Sequence, residues 1–148
     1  MGQFKNQATE IAKLLKNEMP NVHFALEEAS DTYIHFVAYG VSFSDFVENV
    51  LISLEYINDS NINHGISCLV NFGPVVETPA LYKLIYDYNN TLLFARMTVD
   101  NGQLKAVFYL TELFTAETAI KYFFVFLSNI TCQISKKLFE PMRPLLKN

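Results

Sequence analysis

Apolar residues recur at helical spacing from the start of the chain: Phe4, Ala8, Ile11 and Leu15 line one side, while Lys5, Glu10, Lys13 and Lys16 take the other. That pattern predicts an amphipathic helix, ended by Met19-Pro20. The period then shortens to that of a strand. Val22 to Glu27 and Thr32 to Tyr39 read as two β-runs joined by the polar link Glu28-Ala29-Ser30-Asp31. In the second run Tyr33, His35, Val37 and Tyr39 alternate with Ile34, Phe36 and Ala38, and an antiparallel hairpin is the simplest account.

Between Val41 and Asn58 two patterns compete. Phe43, Phe46, Val47, Val50, Leu51, Leu54 and Ile57 fit one helical face, with Ser44 placed to cap it. Val50 to Ile57 is also rich in β-branched and aromatic residues, and Val50, Ile52, Leu54 and Tyr56 alternate. Periodicity alone favours the helix. A polar loop from Asn58 to Asn63 leads into a strand-like run, Ile66 to Phe72, which Gly73-Pro74 breaks.

The second half carries sharper local signals. Thr78-Pro79 starts a helix, with a hydroxyl cap and a proline at the first helical position, and Leu81, Leu84, Ile85 and Tyr88 form its buried stripe up to about Asn89-Asn90. Asn101-Gly102 is a two-residue hairpin loop of the type I′ kind. It sets Val99 opposite Leu104, Met97 opposite Ala106, Ala95 opposite Phe108 and Leu93 opposite Leu110, one wholly apolar side. The other side pairs Thr98 with Lys105, Arg96 with Val107 and Phe94 with Tyr109. A last helix runs from about Thr115 to Phe139, with Thr115 as cap, Glu117 early and Lys136 and Lys137 late. Its stripe is Ala116, Ile120, Phe123, Leu127, Ile130, Ile134 and Leu138. Tyr122, Val125 and Phe126 fall outside that stripe, so either other elements cover them or they form a dimer or partner interface.

Composition narrows the class. At 148 residues, 51% hydrophobic and 18% charged, the chain fits one packed domain spanning residues 1–148. A net charge of −4 argues against nucleic acid as a partner. The N-terminal stretch lacks the apolar core of a signal peptide, and Asn6 stands where a myristoylation signal wants Ser or Thr. The uncharged stretch Tyr122 to Ser135 is shorter than a membrane span. A cytoplasmic protein without membrane partners is the expectation. Charge is also segregated: every Lys and Arg lies at or before Lys16 or at or after Lys83, and nine acids fill the interval. That middle suits a basic partner segment, or the solvated edge of a sheet.

Candidate chemistry is sparse. Cys68 and Cys132 read as buried free thiols, and His64 with Cys68 lacks the further ligands that zinc needs. His23 and His35 could face each other across the first hairpin. No phosphate loop or nucleophile elbow is present, and Glu27-Glu28 is the only adjacent carboxylate pair. No cofactor, metal or catalytic residue is expected. A site assembled from His35, His64 and the acids of the middle region is the enzymatic alternative.

The stretch from Thr78 to Ile130 resembles the YbjN family of bacterial sensory transduction regulators. The features that carry the resemblance are the helix end at Leu84 to Asn89, the strand Phe94-Ala95-Arg96, the hairpin Asp100 to Leu104 and the acidic, hydroxyl-rich link Leu113 to Glu117. It covers roughly residues 64 to 138, and its motifs encode fold rather than chemistry. Where the family often has two asparagines three apart at the helix end, the first position here is Tyr86. Asn89 is the sole carry-over, expected to cap that helix and turn the chain. The family shares its fold with class I type III secretion chaperones, which implies that residues 49–57 form a strand paired with Ile66 to Phe72, against their helical periodicity.

The expected fold is therefore α+β and type III secretion chaperone-like: a twisted antiparallel sheet of five or six strands with helices packed on it. Leu93, Ala95, Met97, Val99, Leu104, Ala106, Phe108 and Leu110 should face the helices. The expected function is a non-enzymatic binding or regulatory module, a chaperone-like adaptor that engages a protein partner segment as a homodimer. Tyr122, Val125 and Phe126 are its candidate interface, and Asn89, Asn101, Gly102 and Thr78 serve turns and caps. The alternative is a small-molecule-sensing domain with an aromatic pocket between sheet and helices.

Overall fold

Helix α1 (Gln3–Glu18) packs its Phe4, Ala8, Ile11 and Leu15 stripe into the core of a computed structural model that describes residues 3–42, 49–59, 63–91, 95–111, 115–133 and 143–146. Six strands follow: β1 (Ala25–Ala29), β2 (Tyr33–Val41), β3 (Val50–Asp59), β4 (Asn63–Pro74), β5 (Arg96–Asp100) and β6 (Gln103–Leu110). Helix α2 (Pro79–Thr91) links β4 to β5, and α3 (Ala116–Gln133) follows β6. The strands form one antiparallel sheet in the order β1-β2-β3-β4-β6-β5. The fold is α+β.

The first strand starts three residues later than its sequence suggests. Val22 N–H bonds the Met19 carbonyl at 3.1 Å and holds the chain in a turn, so β1 begins at Ala25. Ser30 closes the hairpin: its Oγ accepts the Tyr33 N–H at 3.1 Å. The contested segment is strand β3, with Leu54 opposite Phe36 on one side and Cys68 on the other. Pairing on both sides gives the segment backbone partners on two strands, which outweighs a periodicity that a helix could also have met. Phe43, Ser44, Phe46 and Val47 lie outside the described residues. β4 runs two residues past Phe72 and ends on Gly73-Pro74, with a register shift between Asn71 and Gly73.

The hairpin of β5 and β6 has the expected register, from Arg96 opposite Val107 to Val99 opposite Leu104. Asn101 and Gly102 have φ of 51° and 73°, as a type I′ turn requires. Leu93 and Phe94 lie outside the described residues. Thr78 Oγ1 accepts the Leu81 N–H at 3.1 Å and caps α2, and Thr115 Oγ1 accepts the Thr118 N–H at 3.2 Å and caps α3.

Helices α1, α2 and α3 lie on one side of the sheet. Their buried residues join Ile34, Phe36, Ala38, Val50, Ile52, Leu54, Tyr56, Ile66, Cys68, Val70, Leu104, Ala106 and Phe108 in one core. Phe4 meets Tyr56 with ring centroids 4.8 Å apart, and Phe24 meets Phe123 at 6.0 Å. Of the expected α3 stripe, Ala116, Ile120, Phe123 and Leu127 are buried. Lys136, Lys137, Ile134 and Leu138 lie outside the described residues, as does the side chain of Ile130.

Candidate functional site

Because strand side chains alternate, every second residue of β2, β3, β4 and β6 points away from the helices. Register assembles them into rows across the sheet. One row runs Val37, Ser53, Leu69, Val107, Arg96. The next runs Glu28, His35, Glu55, Ser67, Tyr109. A third holds Leu51, Asn71, Lys105 and Thr98. Leu51, Ile57, Leu69 and Val107 are half-buried and do not pack against the core, and Tyr39 and Tyr109 are exposed. No described helix covers this face.

Its polar groups are paired with one another. Tyr33 donates its phenol to Glu55 Oε2 at 2.7 Å, and His35 Nε2 and Ser53 Oγ lie 2.9 Å apart. Ser53 is 5% exposed, and the imidazole satisfies a hydroxyl that burial would otherwise strand. Burial, then the hydrogen bond to Glu55 and the Glu55 and Glu28 charges, push the Tyr33 phenol well above its ordinary range. Lys105 and Asp100 form an ion pair of 3.0 Å towards the β5 end.

Cavities among the described residues lie on the sheet and beside α1. One of about 220 Å³ lies on the open face over Gly65 and Ser67, between Glu55 and Tyr109. Two others, of about 360 and 330 Å³, flank the segment Asn21 to His23, beside α1 and beside the end of β2. The aromatic rings proposed to line a pocket between sheet and helices instead pack on each other: Phe108 stacks on Phe126 at 6.2 Å and on Tyr122 at 6.4 Å.

That packing corrects the expected interface. Phe126 is fully buried, because Phe108 on β6 reaches the side of α3 that a helical wheel leaves bare. It is a core residue and offers no surface. Tyr122 and Val125 are half-buried; Tyr122 packs against the core and Val125 does not. Asn89 also departs from expectation. It lies within the last turn of α2 and does not cap it; its amide donates to the Met97 carbonyl at 3.0 Å and accepts the Met97 N–H at 2.7 Å. Counting back from the turn, Met97 falls in a non-hydrogen-bonded pair, so both of its backbone groups point off the sheet. Asn89 satisfies both and closes the β5 edge at Met97.

The residues of the enzymatic alternative do not converge. His35 is on the open face, while His64 shares the helix side with Ile66 and Cys68. His35 lies opposite Glu28 rather than His23. Cys68 is a buried free thiol, and burial holds it protonated, far above its usual range. The Cys132 side chain lies outside the described residues. Among the described residues no three His, Cys, Asp or Glu side chains come together, and no helix is long and apolar enough to cross a membrane.

The cross-strand row of Glu55, Ser67 and Tyr109 is not among the candidates drawn from the sequence. Alternation marked which residues of β2 share a face, but rows need register, which pairs residues far apart in the chain. Comparison of the chain with protein-family models, curated proteins and solved structures finds no match.

Proposed function

We propose that this protein is a non-enzymatic binding module, an adaptor that holds an extended segment of a protein partner on the open face of its sheet. The observation that supports this most is the set Leu51, Ile57, Leu69 and Val107, apolar side chains left half-buried and outside the core on a face that no described helix covers. Sheet edges offer less. β1 carries a register shift and exposed Glu27 and Glu28, and Asn89 covers β5 at Met97. A face of alternating apolar and polar rows matches an extended chain, whose side chains also alternate. The resemblance to the YbjN family and its chaperone-like fold agrees with this reading.

The test is selection of peptides from a random displayed library, followed by mapping of the best binders on amide NMR spectra. Shifts centred on Leu69 and Val107, lost in Leu69→Asp, are expected. Binders that map elsewhere, or a library that yields none, overturn the proposal. A homodimer would compete for the same surface. Light scattering decides it: a dimer that Leu69→Asp converts to a folded monomer assigns the face to a second copy.

A further inference from the structure

On the open face, the row Glu55, Ser67, Tyr109 sets a carboxylate and a phenol on either side of a small residue. Two strand spacings separate the outer members, roughly 9–10 Å. Gly65 extends the low floor beside Ile57. It is a glycine because β4 passes so close to the Leu110 backbone that a Cβ would sit 1.8 Å from its carbonyl oxygen. The result is the cavity of about 220 Å³, below the roughly 300–1,000 Å³ of small-molecule pockets and on the scale of one long side chain.

The charges on its β3 side are acidic, and Arg96 stands on β5 opposite Val107, diagonal to Tyr109. Glu55 Oε2 takes the Tyr33 phenol, and no described residue bonds Oε1. Glu28 lies in the same row, and residues 17–82 contain no Lys or Arg. The basic residues of this face sit near β5, where Asp100 holds Lys105. Tyr109 is 64% exposed, so its ring forms an accessible wall.

We propose that this trough receives the guanidinium of an arginine carried by the partner segment, which bonds Glu55 while its plane stacks on Tyr109. A planar, forked donor that is also attracted to an aromatic face suits a carboxylate and a phenol ring that flank one slot. An ammonium matches the charge alone. The inference rests on the binding-face reading above and adds the chemistry of the partner.

Two fluorescein-labelled peptides test it, Val-Thr-Arg-Thr-Val and a twin with citrulline, the neutral isostere, in place of arginine. Binding is read by anisotropy and by amide shifts in the full chain. The arginine peptide should bind about tenfold tighter and shift Glu55, Ser67 and Tyr109. That advantage should vanish in Glu55→Gln, which keeps an acceptor for Tyr33, and shrink in Tyr109→Leu. Equal binding of both twins, with shifts on Leu51, Leu69 and Val107, overturns the arginine slot and leaves the binding face standing. If neither peptide shifts any open-face amide, the slot and the face both fail. Shifts that depend on protein concentration alone would give the trough to a second copy and overturn the proposal.

Discussion

Along β3, Ile52, Leu54 and Tyr56 are at most 1% exposed and meet helices, whereas Glu55 and Ile57 look outward and stay half-buried. The same strands thus build two unlike faces from alternate residues. The helix side is continuous and apolar, with rings from α1, α3 and β6 packed together. The outer side mixes Leu69 and Val107 with a hydrogen-bonded group of Tyr33, His35, Ser53 and Glu55. The contrast separates residues that build the core from residues that stand outside it, so an outer side chain can be altered without emptying the core.

The sharpest way to break that division is a pair of truncations. Leu54→Ala on the helix side should cost about 2–5 kcal/mol in urea unfolding, through lost burial and a cavity. Leu69→Ala on the open side should cost about 1 kcal/mol or less. Equal losses would mean that the outer face is part of the core. Gly65→Ala tests a place on the open face where a Cβ meets backbone. With φ at 141° and a backbone oxygen in the way, it should cost about 3 kcal/mol or more, by the same measurement.

Asn89→Ala comes next, because it removes two hydrogen bonds that tie the helix side to the β5 edge, a loss of about 1–3 kcal/mol. Faster hydrogen exchange at the Met97 amide, with Tyr33 unaffected, would locate the effect. Thr78→Ala should cost about 1 kcal/mol through the α2 cap.

The smallest effect is expected from pH. Tyr33 on the outer face, and Tyr88 and Cys68 on the helix side, are held protonated chiefly by burial. Each folded value lies above its unfolded value, about 10 for tyrosine and 8.5 for cysteine. Their contributions are therefore complete below those values and lost as pH rises towards the folded ones. Tyr33→Phe should lower stability slightly at neutral pH and flatten its decline above about pH 10 in alkaline unfolding.

Local chemistry alone determined the α1 stripe, the Thr78 cap, the Asn101-Gly102 turn and the register of its hairpin, because each depends on residues within one turn or one ladder. Residues 50–57 met two periods at once, and the resemblance rather than their own pattern marked them as a strand. Pairing with β2 and β4 is what makes that conformation sufficient. Phe126 looked bare on a helical wheel, since the ring that covers it comes from β6. Asn89 read as a cap, since its true partner is the backbone of an edge strand. The outer rows arise in the same way. Which side chains stand beside Glu55 depends on four strands coming into register, a long-range choice made by the buried face and imposed on the exposed one.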